Sequence, residues 1–195
     1  MTVFSRRTVL TGAAATTAAI TVGSIDPATA ASAADAAKSM SLFIDLSEKL
    51  TGIAKSKLNP AKDPVNIKQA YFDQARKHPA FNDLLRQFDQ NKDKADVIEI
   101  ILQIKSNQPR SDVVYLARSI ILEWYLGAWY EPSELRRFDS PNPPERPIKF
   151  KVISPAAYTQ GWVWRVAQAH PMGYSEWEFG YWSRPPTPRS DFIGI

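Results

Sequence analysis

The sequence predicts a mostly α-helical protein, a small helical bundle followed by an irregular, Pro- and aromatic-rich extension with short strands. Three observations carry this. Apolar residues recur every three or four positions from Ser39 to about Tyr130. Ten of the 15 prolines lie between Pro132 and Pro188, where long helices are therefore not expected. All six tryptophans lie from Trp124 onward.

In chain order, the first helix carries Phe43, Leu46, Leu50 and Ile53 on one face, with Ser41 as its expected N-cap. Gly52 follows closely, and Asn59-Pro60 and Asp63-Pro64 break the chain. A second helix runs from Ile67 to Lys77 with Ala70, Tyr71 and Ala75 inward. His78-Pro79 separates it from a third, whose stripe is Phe81, Leu84, Leu85 and Phe88. Asp93 or Asp96 opens a fourth, with Val97, Ile100, Ile101 and Ile104. Ser111 and Asp112 start the fifth and most apolar, with Val114, Leu116, Ala117, Ile120, Ile121, Trp124 and Tyr125. Its breadth makes it the expected centre of the bundle, and Gly127 its C-cap or a close-packing point. Arg136-Arg137 reads as a helix-end or surface pair.

Beyond Pro132 the texture changes. Residues 131–147 read as a Pro-rich linker, and Pro141 to Pro147 as a stiff stretch expected to project the remainder away from the bundle. Ile148 to Val152 alternates like a short strand, and so does Trp177 to Tyr181. Between Tyr158 and Trp182 eight large rings fall in a segment broken by glycine and proline. Trp124 and Trp162 are expected in the core. The other rings exceed what one small bundle can bury, and exposed Trp and Tyr mark binding surfaces. Residues 148–195 are thus expected to form a partner-binding segment, with Trp164, His170, Met172, Tyr174, Trp177, Phe179, Tyr181 and Trp182 at the interface. Phe43, Leu46, Gly52, Ile120, Trp124 and Gly127 are assigned structural roles.

The N-terminus has the order of an export signal. Arg6-Arg7 precede a stretch without charge until Asp26, rich in Ala and Thr, which leads to Ala28-Thr29-Ala30. Paired arginines before a weakly apolar stretch indicate the twin-arginine type, with cleavage expected after Ala30, or as late as residue 33. A membrane span needs about 20 strongly apolar residues, and this stretch is shorter and diluted with Thr.

Composition excludes several kinds of chemistry. With no Cys there is no disulfide, thiolate nucleophile, Cys-ligated cluster or c-type haem attachment. His78 and His170 are too few for a His-rich metal site. The net charge of +4 is spread as mixed-sign pairs, which gives no footprint for nucleic acid. There is no G-x-G-x-x-G, P-loop or G-x-S-x-G. No catalytic, cofactor-binding or metal-ligating residue can be assigned to the chain. An exported passenger without a visible cofactor motif suggests a partner that carries one.

Three stretches resemble a known family. Phe43-x-x-Leu46-Ser47-Glu48-x-Leu50-Thr51-Gly52 resembles the opening of the mature small subunit of membrane-bound, FAD-dependent sugar and polyol dehydrogenases. Ile121-Leu122-Glu123-Trp124-Tyr125-Leu126-Gly127 is similar to that family's helix ending in Trp-Tyr-x-Gly. Tyr158 to Ser175, with Ala167-Gln168-Ala169-His170-Pro171-Met172-Gly173-Tyr174, resembles the D-sorbitol dehydrogenase branch. The resemblance implies a non-catalytic small subunit in a three-part periplasmic complex. In such a complex a large subunit holds FAD and oxidises the sugar or polyol, and a multihaem cytochrome c subunit takes the electrons. The small subunit supplies the export signal and helps the large one mature, and it meets the membrane only through the complex, at the periplasmic face of the inner membrane. The alternative is a stand-alone periplasmic carbohydrate-binding module that stacks sugar rings on its aromatics.

Overall fold

A computed structural model describes residues 27–107, 109–169, 190, 193 and 194, with side chains from Ala34 onward among the N-terminal ones. The expected mostly helical class is what is observed, with one two-stranded sheet among the described residues.

Helix α1 spans Pro27–Thr51. It starts well before Ser41, which lies inside it and is no N-cap. The Ala-rich run from Ala28 to Ala37 explains the difference, because Ala is the strongest helix former and needs no apolar face to continue a helix. The apolar stripe begins later, with Phe43, Ile44 and Leu46 buried. Gly52 ends the helix with φ +70°, its N–H donating to the Glu48 carbonyl. A short α2 follows, Lys55–Leu58.

Helix α3, Ile67–Ala75, is opened by Asp63, whose carboxylate accepts from the backbone N–H of Ile67 at 3.1 Å and of Lys68 at 3.5 Å. Its Tyr71, Phe72 and Ala75 are buried and Ala70 is half-buried. In α4, Phe81–Asn91, all four expected stripe residues are buried. In α5, Val97–Ile101, Val97 and Ile101 are buried, but Ile100 and Ile104 are exposed. Gln103 turns left-handed at φ +50°, so the helix stops before Ile104.

Helix α6, Asp112–Leu126, is the centre of the bundle, packed against α1, α3, α4, α5 and, of the elements after it, the next strand, the next helix and the last one. Ser111 sits at its N-cap position, but its hydroxyl accepts from Gln103 Nε2 instead of capping the helix. Strand β1, Ala128–Tyr130, continues directly from α6.

Part of the expected linker is a helix, α7, Pro132–Phe138, with proline in the first turn. Arg136 and Arg137 do fall in its last turn, paired with Asp112 and Glu134. The described residues that follow it, 150–169, do not project away from the bundle. Strand β2, Phe150–Val152, pairs antiparallel with β1, with Trp129 opposite Lys151. Helix α8, Pro155–Thr159, buries Ala157, and α9, Trp162–Val166, inserts Trp162 into the core. Backbone pairing to β1 and this burial outweigh the stiffness of the prolines. Near the end of the chain the Ile193 carbonyl accepts from the Ala54 N–H at 2.7 Å.

Candidate functional site

The two stretches Phe43–Gly52 and Ile121–Gly127, far apart in sequence, meet side by side. Ser47 lies on the buried face of α1 between Phe43 and Leu50, and it is fully buried. Its hydroxyl accepts the indole N–H of Trp124 at 2.9 Å. One turn on, the Tyr125 hydroxyl donates to the Thr51 carbonyl at 2.9 Å. The Thr51 hydroxyl donates back to the Ser47 carbonyl, which ties the end of α1 together. The Phe43 ring stacks on Trp124 at 6.4 Å between centroids, and Tyr71 meets it edge-on at 4.8 Å.

The glycine of the Trp-Tyr-x-Gly pattern is required twice over. Gly127 has φ +63°, and a Cβ there would lie 2.2 Å from the Ala157 carbonyl oxygen. Its own carbonyl accepts from Ile153 N–H. Gly161 is equally constrained, since a Cβ would lie 2.7 Å from the Tyr125 carbonyl. The pattern therefore presents a bare backbone on which the returning segment, 153–161, lies.

Beside the junction sits an acid that periodicity alone did not flag as buried. Glu123 is fully buried, and neither carboxylate oxygen has a hydrogen-bond partner among the described residues. Burial pushes its pKa well above the usual carboxylate range, opposed only by the charge of Lys77. Burial, and then the Glu123 charge, push the Tyr71 phenol up as well. The signal was present in the sequence: Glu123 lies three positions after Ile120 and seven after Leu116, on the stripe that both occupy.

Trp124 and Tyr71 also floor a cavity of about 280 Å³. Trp162 closes one side, and Lys57, Lys62 and Arg165 stand at its mouth. A wider cleft of about 580 Å³ lies between α5 and α7. Its charged walls are already matched: Arg110 and Arg118 pair with Asp139, and the Tyr115 hydroxyl donates to the same carboxylate at 3.0 Å. Hydrogen bonding from Arg110 holds Asp139 below its usual range. Among the described residues no group of three His, Asp or Glu side chains is placed to hold a metal ion. The aromatic cavity lies under the roughly 300–1,000 Å³ typical of ligand pockets, and no Gly-rich phosphate turn adjoins it, so a flavin dinucleotide does not fit there.

Phe43, Leu46, Ile120 and Trp124 are buried, and Gly52 and Gly127 end α1 and α6. Trp164 of the interface set is half-buried, its indole N–H donating to the Tyr158 carbonyl at 2.7 Å and its ring edge-on to Tyr158. His170, Met172, Tyr174, Trp177, Phe179, Tyr181 and Trp182 lie outside the described residues, as do Arg6 and Arg7. Ala30 falls in the first turns of α1.

Residues 4–138 match a family model described as membrane-bound FAD-containing D-sorbitol dehydrogenase. The match takes in Arg6-Arg7 and both halves of the Ser47–Trp124 junction, and stops before the Tyr158–Ser175 stretch. No curated protein and no solved structure matches the chain. Among the described residues no helix is long and apolar enough to cross a membrane.

Proposed function

The chain belongs to the membrane-bound, FAD-containing D-sorbitol dehydrogenase family, and from that membership we propose that it is the non-catalytic small subunit of such a dehydrogenase complex. Its task is to export and mature the flavoprotein. The FAD and the oxidation of the sugar or polyol are placed in the large subunit, and haem c in a multihaem cytochrome subunit of the same complex. The observation that supports this reading is the extent of the family match, which runs from before the paired arginines through the whole of α6.

The leader and the fold divide the work. Arg6 and Arg7 direct twin-arginine export to the periplasm. Cleavage after Ala30 leaves intact the part of α1 that the bundle uses, since its buried face begins at Phe43. The folded body then supports the aromatic segment that holds the large subunit. Its interface residues are Trp164, His170, Met172, Tyr174, Trp177, Phe179, Tyr181 and Trp182. Membrane attachment comes through the assembled complex.

Export of the partner is the test. In cells making both subunits, Arg6→Lys with Arg7→Lys is expected to leave the flavoprotein in the cytoplasm along with this chain. A flavoprotein found in the periplasm beside the double variant has its own route, and the escort role is then wrong.

A further inference from the structure

Three successive backbone N–H groups turn the corner between α1 and α2, and each has its acceptor. Ile53 donates to the Thr51 hydroxyl at 3.2 Å and Lys55 to the Glu48 carboxylate at 2.7 Å. Both acceptors belong to the Phe43–Gly52 stretch. The donor between them, Ala54, is half-buried and is served from the other end of the chain, by the Ile193 carbonyl at 2.7 Å. Backbone donors held away from water need such a partner.

The C-terminus is shaped for this contact in more than its carbonyl. The Ile193 side chain is half-buried and packs against the hydrophobic core. Gly194 closes one helical turn, its N–H donating to the Ser190 carbonyl at 2.8 Å, with φ +75°. A Cβ on Gly194 would lie 2.8 Å from the Ala54 Cβ, so only a bare backbone seats this closely. A backbone bond, an apolar anchor and a close-approach glycine in adjacent residues make a docked element.

Its place in the chain gives the contact a role. Upstream, Trp162 of α9 is buried in the core and the Ala169 N–H donates to the Trp164 carbonyl. Residues 170–189, which carry Tyr174, Trp177, Phe179, Tyr181 and Trp182, lie in sequence between these two holds. We propose that the C-terminal turn carrying Ser190, Ile193 and Gly194 is a latch that holds the far end of the aromatic segment on the α1–α2 turn, so that the flavoprotein large subunit meets a closed loop and not a free tail. A segment held at both ends has less freedom to lose on binding, and the difference appears as affinity. Ile193 and Gly194 are thus positioning residues, acting on the partner through the segment they hold. The inference rests on the proposed role of the chain as the flavoprotein's partner and adds to it what readies the interface.

The test uses the full chain made together with a tagged flavoprotein subunit. Ile193→Asp, which sets a charge against the core, is expected to open the latch and weaken co-purification about fivefold or more. Ile193→Val keeps an apolar anchor and is expected to bind as the wild type does. The chain has no cysteine of its own, so Ala54→Cys with Gly194→Cys supplies one thiol pair. A shift of the chain end by less than about 1 Å brings their Cβ atoms to the usual disulfide separation. Reduced, the added side chains crowd the latch, and binding is expected to fall; oxidised, the latch is locked, and binding is expected to return. Should Ile193→Asp also lower the melting temperature, the two redox forms decide, since they share one sequence. If the wild-type chain does not hold the flavoprotein, the partner reading itself fails, and the latch with it. If the wild-type complex forms but Ile193→Asp keeps it at full strength in a chain that melts normally, the latch assignment alone is overturned. The same follows if the thiol pair does not cross-link, or if the oxidised chain binds no better than the reduced one.

Discussion

The indole N–H of Trp124 donates to the buried hydroxyl of Ser47 across 77 residues of chain, at 2.9 Å. A buried indole N–H left without an acceptor costs about 1–3 kcal/mol, more than the bond contributes when it is made. Ser47→Ala is therefore expected to lower stability by about 1–3 kcal/mol. Trp124→Phe is expected to cost more, because it also removes packing against Phe43 and Tyr71. The two changes should not add. In a double-mutant cycle followed by denaturant unfolding, a coupling of about 0.5 kcal/mol or more is expected, and strict additivity would show that the bond contributes nothing.

Two glycines with nearly the same backbone angle give a sharper contrast. Gly52 has φ +70° and nothing within 4 Å of an added Cβ, whereas Gly127 has φ +63° with the Ala157 carbonyl at 2.2 Å. Gly52→Ala then carries only the left-handed penalty, about 1–2 kcal/mol. Gly127→Ala also pushes α8 off the end of α6, and its expected cost is larger, with Trp162 becoming accessible. Thermal melting with tryptophan fluorescence would show it. Equal losses at the two sites would mean that the approach of Ala157 is not needed.

Glu123 makes stability depend on pH. Burial raises its pKa in the folded state, so the native chain holds a proton that the unfolded chain releases near pH 4.3. Its contribution is fully present below that pH and is lost as pH rises toward the raised folded value, with a slope of up to ~1.4 kcal/mol per pH unit. Glu123→Gln keeps the shape of the protonated acid and has no such slope. The variant is expected to match the wild type near pH 4 and to exceed it at neutral pH. Parallel pH profiles for the two proteins would place the titration elsewhere.

How much of this was legible in the sequence depends on how local the cause was. The α4 stripe of Phe81, Leu84, Leu85 and Phe88 and the centre of α6 follow from spacing alone, and all four α4 residues are buried. Spacing puts Ile104 on the α5 stripe, but the helix is stopped by Gln103, whose side chain bonds both the Ser111 N–H and its hydroxyl, and that pairing leaves no periodic mark. The start of α1 leaves no periodic mark, because the alanines that extend it carry no apolar face. The prolines of 141–147 predict a spacer because proline sets local stiffness, while the β1–β2 pairing that brings the chain back is a long-range choice. The cavity is the least legible feature. Lys57, Lys62 and Arg165 come from three separate stretches, and only the fold makes them neighbours.

The segment beyond Ala169 carries the last prediction. On either side of it, the Ala169 N–H donates to the Trp164 carbonyl, and the Ile193 carbonyl accepts from the Ala54 N–H. The described residues that flank the aromatic segment are thus bonded within the described body, and a segment held at both ends costs less to order on a partner than a free tail. The alternation of Trp177, Phe179 and Tyr181 in the sequence is that expected of rings sharing one face of an extended segment, where they would act as anchors in a partner's groove or beside its sheet edge. Removing one anchor ring typically costs about 2–4 kcal/mol of binding, or roughly thirtyfold to a thousandfold in affinity. Ile120, by contrast, is fully buried in α6, where Ile→Ala costs about 2–5 kcal/mol of folding stability. Trp177→Ala is therefore expected to weaken co-purification of the flavoprotein with no change in the helical circular-dichroism signal. Ile120→Ala is expected to lower the melting temperature first and to affect the complex only through the loss of fold. A Trp177→Ala chain that melts early, or one that holds the flavoprotein at full strength, would take the interface away from this segment.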